Sequence, residues 1–177
     1  MAVIKKYRKK GWQIEMEHYN NVTKLHTYIP TFNDLWFRQL MLSDKETMSY
    51  NDAWGGTIDW PEEDWKDWYD WWILNHENKR YYRYIVTEDN VFIGEIAYHY
   101  SKEYKGYMAN VIIYAKYREQ GYGTKALEIL CQDAKKNGIP FLYDDIAIDN
   151  KGISIFLKLG FKEVDRNSEI ILLKKDL

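Results

Sequence analysis

The sequence predicts one α/β domain, and three observations carry that reading. The chain has 177 residues, close to the usual size of a single compact unit. It holds no internal repeat and no linker rich in Gly, Ser or Pro. From Tyr81 to the end, strand-like and helix-like patterns alternate.

The elements follow in order. Residues 12–17 place Trp12, Ile14 and Met16 at alternate positions, which predicts a first strand. Residues 32–42 carry Phe32, Leu35, Trp36 and Leu40 at helical spacing. Residues 43–57 have no period and contain Gly55-Gly56, so a long loop is expected, and a loop of that length usually serves function. Asp59 is set to cap a helix with Pro61 in its first turn and Glu62 three residues on, running to about Leu74. Residues 81–87 and 91–98 read as strands joined at Glu88-Asp89-Asn90, and 108–114 as a third. Leu127, Leu130, Cys131 and Ala134 line one face of a helix over Tyr122–Lys136. A strand over 140–148, a short helix over 151–159 ending at Gly160, and strands over 161–164 and 170–174 complete the chain.

Composition narrows the function. Lys and Arg number 25 against 27 Asp and Glu, so no global basic field argues for nucleic acid. The basic cluster Lys5, Lys6, Arg8, Lys9 and Lys10 reads as a solvated arm, without the apolar segment of a signal peptide. No run of about 18 apolar residues is present, so no membrane span is expected. The single cysteine, Cys131, excludes an intrachain disulfide and fits a cytoplasmic protein. Aromatics are abundant, with 16 Tyr, 8 Trp and 6 Phe. Six of the eight tryptophans lie between Tyr50 and Glu77, where eight carboxylates face the single base Lys66. Trp65, Trp68 and Trp72 there share a helix face and read as packing.

The segment Ile112-Ile113-Tyr114-Ala115-Lys116-Tyr117-Arg118-Glu119-Gln120-Gly121-Tyr122-Gly123-Thr124 holds the chemistry. A strand enters a glycine loop that opens a helix. Amides at a helix start lack internal partners, the helix dipole adds positive charge, and glycine permits close approach. That combination suits a phosphate or pyrophosphate. Gly121, Gly123 and Ala126 also match a dinucleotide G-x-G-x-x-A, but five residues from Lys116 to Gln120 separate the strand from the first glycine. A plain turn before an amphipathic helix is the third reading.

The pattern Arg118-x-x-Gly121-x-Gly123 resembles the acyl-CoA pyrophosphate loop of the GNAT N-acetyltransferase superfamily. A later stretch, Asp149-Asn150-Lys151-Gly152-Ile153-Ser154-Ile155-Phe156-Leu157-Lys158-Leu159-Gly160-Phe161, resembles that family's Asn, short helix and Leu-Gly-Phe ending. The resemblance implies a single-domain GNAT-like α/β fold over 1–177, with a mixed, mostly antiparallel sheet flanked by helices. Residues 1–80 would form the acceptor side and 81–177 the acyl-CoA side. It implies acetyl-CoA as donor, no metal, and backbone groups near Ile112, Ile113 and Tyr114 holding pantetheine. Amides of Gln120, Gly121, Tyr122, Gly123 and Thr124 would cradle the pyrophosphate beside Arg118. Asn150 would hold the pantetheine side, although a helix cap explains it equally. Many members carry a proton-donating Tyr where this chain has Phe156.

Transfer to an amine requires the neutral nitrogen, so something must take its proton. Glu95, His99, Asp144 and Asp145 are candidates, with Glu95 and Asp145 preferred. Family acceptors are often cationic, which aromatic faces and carboxylates attract. Tyr50, Asp52 and Trp54 are the expected acceptor-site residues. The reading is therefore N-acyl transfer to a small-molecule amine, with no nucleic-acid or membrane partner and room for a homodimer. Two alternatives stand beside it: a non-catalytic acyl-CoA binder, and a Trp-rich binding module whose glycine loop is structural.

Overall fold

The computed structural model describes residues 24–177. The strand expected over 12–17 and the basic arm lie outside the described residues. Seven strands form one sheet in the order β1-β2-β3-β4-β5-β7-β6. They are β1 (Leu25–Tyr28), β2 (Arg80–Thr87), β3 (Phe92–Ser101), β4 (Gly106–Ile113), β5 (Phe141–Ala147), β6 (Lys162–Arg166) and β7 (Ile170–Asp176). Every neighbouring pair is antiparallel except β4 and β5. A mixed, mostly antiparallel sheet is thus the observed architecture.

Helices cover both faces. α3 (Tyr122–Lys136) turns Ala126, Leu127, Leu130, Cys131 and Ala134 onto a core that includes Ile96, Ala109, Leu142 and Leu173. Its apolar residues repeat with the helical period, Lys135 and Lys136 meet the negative end of the dipole, and left-handed Gly138 stops it. On the opposite face α1 (Leu35–Ser43) sets Phe37 and Met41 on Tyr82, Tyr84, Ala97 and Ile112. Leu35 and Leu42 join Met48, Trp60 and Trp65 in a third cluster that ties on α2 (Trp65–Tyr69). α4 (Ile153–Lys158) packs Ile153, Ile155 and Phe156 against the first core.

Residues 24–80 depart from expectation in three places. β1 was not anticipated: its four residues are too few to show a period. The segment expected as a loop over 43–57 instead holds a 3₁₀ helix, Thr47–Trp54. Asp44 starts it by accepting from the Thr47 amide (2.8 Å) and hydroxyl (2.5 Å), and Gly55 ends it at φ 101°. Asp59 is exposed and caps nothing; the residue before the first turn is Pro61, itself extended. The helix does reach Leu74, but in three winds: 3₁₀ over Glu62–Asp64, α over α2, and π over Asp70–Leu74. Among the described residues no helix is long and apolar enough to cross a membrane.

Candidate functional site

The site begins where the two parallel strands separate. β4 and β5 pair only at Tyr107↔Leu142 and Met108↔Tyr143. Beyond Met108 the strands part, and β5 continues as a full partner of β7. The result is a wedge-shaped slot with β4 backbone along one wall. The Tyr114 amide donates to the Ile93 carbonyl (3.0 Å), toward β3. The Ile112 carbonyl also points that way, since a methyl on Gly94 would collide with it. Alternation then turns the backbone of Val111 and Ile113 toward the slot. Of the three residues expected to present backbone there, Ile113 does so; Ile112 and Tyr114 face β3, and Val111 takes their place. Gly94 was not singled out in the sequence, yet only a residue without a side chain fits against β4 here.

The glycine loop closes the same end. Gly121 sits at φ 82°, a conformation that favours glycine, with open space where a side chain would stand. The first bond of α3 runs from the Lys125 amide to the Gly121 carbonyl. The amides of Gly123 and Thr124 precede it and have no acceptor within the helix. Gln120, Gly121 and Tyr122 lead into this opening. Gly123 packs near Ile155 and Ile113, and an added methyl there would press on the Ile155 side chain.

Arg118, three residues before Gly121, turns its guanidinium onto backbone carbonyls. Its Nε donates to the Ile113 carbonyl (3.1 Å), and Nη1 to the Glu46 carbonyl (2.9 Å), with Ser49 Oγ at 3.5 Å. Nη2 donates to the Thr47 carbonyl. The Ala115 amide donates to Thr47 Oγ1 (2.9 Å). The guanidinium thus braces the Thr47–Trp54 segment against the end of β4, and most of its donors are already used.

Glu95 lies on β3 opposite Ile112 and is fully buried. One carboxylate oxygen accepts from Arg38 and the other from the Tyr82 hydroxyl. The Arg38 guanidinium is wrapped by aromatic faces, 4.8 Å from Trp68, 5.3 Å from Trp60 and 5.4 Å from Tyr82. Burial by itself lowers the Arg38 pKa, but Glu95 beside it more than offsets that and leaves it above the ordinary value. The aromatic–acidic cluster therefore holds a cation, and that cation is the chain's own. Sequence reasoning missed Arg38. Its signal was a base three residues after Leu35 and four before Leu42, on the apolar stripe of α1.

The other predicted residues divide between inside and outside. Asp145 is exposed. Asp144 is 8% exposed and is the first β5 residue past the last β4 pair. Burial, then the charge of Asp145, pushes its carboxyl well above the usual range. Tyr50 packs into both α1-side clusters and feels the charges of Glu95, Arg38, Asp144 and Arg118. Burial holds its phenol above the ordinary value. Asp52 and Trp54, on the same 3₁₀ helix, are exposed and do not join it. Asn150 accepts from the Gly152 amide (2.7 Å) and so shapes the turn before α4. Phe156 stacks edge-on against Phe161 at 5.2 Å. His99 lies against Trp72, toward the far end of the sheet. No group of three or more His, Cys, Asp or Glu among the described residues could hold a metal.

Residues 29–162 match the family model of the acetyltransferase (GNAT) domain. The chain belongs to the GNAT family. Solved structures share the fold of this GNAT domain. Spermidine N-acetyltransferase from Vibrio cholerae, in complex with CoA and spermine, superposes with a TM-score of 0.72 at 16% identity, covering 88% of this chain and 96% of that one. PaiA N-acetyltransferase from Thermoplasma acidophilum, in complex with coenzyme A, gives 0.62 at 18%, covering 87% and 99%. A GNAT-family acetyltransferase from Bacillus anthracis gives 0.65 at 16%, covering 86% and 93%. No curated protein matches the sequence.

Proposed function

We propose that this GNAT protein transfers an acetyl group from acetyl-CoA to a primary amine of a small, cationic molecule in the cytoplasm. The parting of β4 and β5 beside the left-handed Gly121 is the observation that carries the reading. It joins an unpaired strand edge to a helix start, the two supports an acylated, pyrophosphate-bearing donor needs. Backbone of Val111 and Ile113 would hold the pantetheine arm. The amides from Gln120 to Thr124 would face the pyrophosphate, with Arg118 positioning the loop. Asn150 would border the arm from the α4 side, and Phe156 would back it as an apolar wall.

Acetyl-CoA supplies an activated acyl carbon. The amine nitrogen forms a bond to that carbon, the carbon–sulfur bond breaks, and the sulfur leaves as thiolate. The nitrogen must shed a proton, and Asp144 is the group we assign to take it. It borders the slot, has no hydrogen bond or ion pair among the described residues, and burial raises its proton affinity toward that of a useful base. Asp145, expected from the sequence, faces solvent, and Glu95 is committed to Arg38 and Tyr82. Tyr50, held protonated by burial, feels the charges of Glu95, Arg38, Asp144 and Arg118 and suits the proton-donor role that Phe156 cannot fill. The exposed carboxylates Asp59, Glu62, Glu63, Asp64 and Asp67 would steer a cation toward the acceptor side.

Release of free thiol from acetyl-CoA across a panel of amines tests the reading. Amine-dependent release that prefers polycationic acceptors is the expected result. Acetyl-CoA binding without release for any amine would instead establish the non-catalytic acyl-CoA binder that Phe156 allows. Absence of acetyl-CoA binding would overturn both.

A further inference from the structure

A second cavity, of about 300 Å³, opens toward the β1 edge of the sheet. β1 pairs with β2 only from Tyr84 to Thr87, so Arg80 to Arg83 form an edge that β1 leaves open. The cavity straddles that edge, between the end of the π-helical turn and α3, with Ile29 beyond β1 at its rim. Its polar walls come from His76, Asn78, Arg80, Arg83 and Asn137. No carboxylate among the described residues lines it, in a chain where acids outnumber bases. Two acids bonded to or adjoining its lining residues are engaged elsewhere. Asp133 accepts from Tyr81 (2.5 Å) and Lys136 (3.1 Å), and Glu77 from Lys79 (2.9 Å).

The two guanidiniums are held in place. Arg80 stacks on Trp71 with its central carbon 3.8 Å from the ring centroid, and Arg83 stands 4.5 Å over Tyr81 while donating to the Tyr82 carbonyl (2.6 Å). Arg80 Nη1 is buried and, among the described residues, has no hydrogen-bond partner. A buried, charged donor without a partner is costly, so its retention calls for an acceptor. The π turn over Asp70–Leu74 is a wind that recurs at functional sites. It sends consecutive residues apart, Trp71 to Arg80 and Trp72 to Tyr82 and His99.

We propose that this cavity is a binding site for a small organic oxyanion, a carboxylate or a phosphate monoester, taken by Arg80 and Arg83 with its apolar part against Tyr81 and Trp72. Guanidiniums present forked donors that match both groups. The site is separate from the donor slot. β2 lies three strand positions from β5, roughly 14 Å at ordinary strand spacing. Tyr82 lines the cavity and also donates to Glu95, so an occupant would touch the network behind β4.

Calorimetric titration of the full chain with phenyl phosphate, and separately with benzoate, reads the site. We expect saturable binding of at least one probe at one site per chain, unchanged when acetyl-CoA is also present. Whichever probe binds assigns the phosphate or the carboxylate. Arg80→Gln should weaken that binding about tenfold or more, as loss of a charge-assisted pair does. Arg83→Gln carries the same expectation and serves if Arg80→Gln unfolds, which the far-ultraviolet spectrum shows. No binding of either probe overturns the proposal, as does equal affinity in folded variants. Competition by acetyl-CoA also overturns it, because the anion then occupies the start of α3. None of these outcomes depends on whether the chain transfers acetyl groups.

Discussion

Glu95 and Asp144 are both buried carboxyls, and their surroundings give them opposite roles. Glu95 holds Arg38 and Tyr82. Removing its charge leaves the Arg38 guanidinium caged and unpaired, only 17% exposed. Glu95→Gln should therefore cost about 3–5 kcal/mol of stability in urea unfolding, as broken buried pairs do. A mere base would lose rate and keep its stability. Asp144 has no such partner, and burial raises it above 3.8, the ordinary carboxyl value. Its folded form therefore binds its proton more tightly than its unfolded form. The stability this contributes is whole below the ordinary value and falls as pH rises toward the raised one. Asp144→Asn removes that loss. It should raise the thermal midpoint at about pH 8 more than at about pH 4, and lower kcat/KM by roughly 10²–10⁴, as loss of a general base does.

At the scale of elements, Arg118 is one of the side chains that tie the residues before β2 to the end of β4. Arg118, at the end of the turn after β4, reaches three carbonyls: Ile113 on the strand, and Glu46 and Thr47 at the start of the 3₁₀ helix. Thr47 returns the tie by accepting from the Ala115 amide. The same 3₁₀ helix carries Tyr50 inward. Loosening the brace should therefore disturb both substrates together. Arg118→Ala is expected to raise KM for acetyl-CoA and for the amine by about tenfold each, near the loss of one or two charged hydrogen bonds. Steady-state kinetics with each substrate varied in turn checks this. If Arg118 contacted only pyrophosphate, the amine KM would stay put. The brace was invisible in the sequence, because two of its three partners are backbone carbonyls about 70 residues away. The residues before β2 were hard to read for a related reason. Its 3₁₀ and π winds do not repeat every 3.6 residues, so Thr47–Trp54 resembled a loop and Asp59 resembled a cap.

Across the whole molecule, what could be read from sequence was what repeats or punctuates locally. α3 over Tyr122–Lys136 matched residue for residue, because its apolar stripe, its basic last turn and Gly138 all agree. The hairpin between β2 and β3 followed from Glu88-Asp89-Asn90, where Asn90 is left-handed at φ 59°. Strand register was not readable, and register decides that Ile113 and Val111, not Ile112 and Tyr114, face the slot. The slot itself is a register effect: β4 and β5 stay paired for two positions and then separate. A sheet interrupted in its middle leaves backbone groups on both sides without strand partners, and a bound donor would supply them on the β4 side. Binding that occurs only in the folded state must also stabilise it, by about 2.7 kcal/mol at a hundredfold excess over Kd. Saturating acetyl-CoA should thus slow amide hydrogen exchange at Val111, Ile113 and the start of α3. The β5–β7 ladder, already paired along seven positions, should change little. Equal slowing of all seven strands would mean general stabilisation without a bridge across the slot. No slowing at Val111 and Ile113 would remove β4 from the donor site.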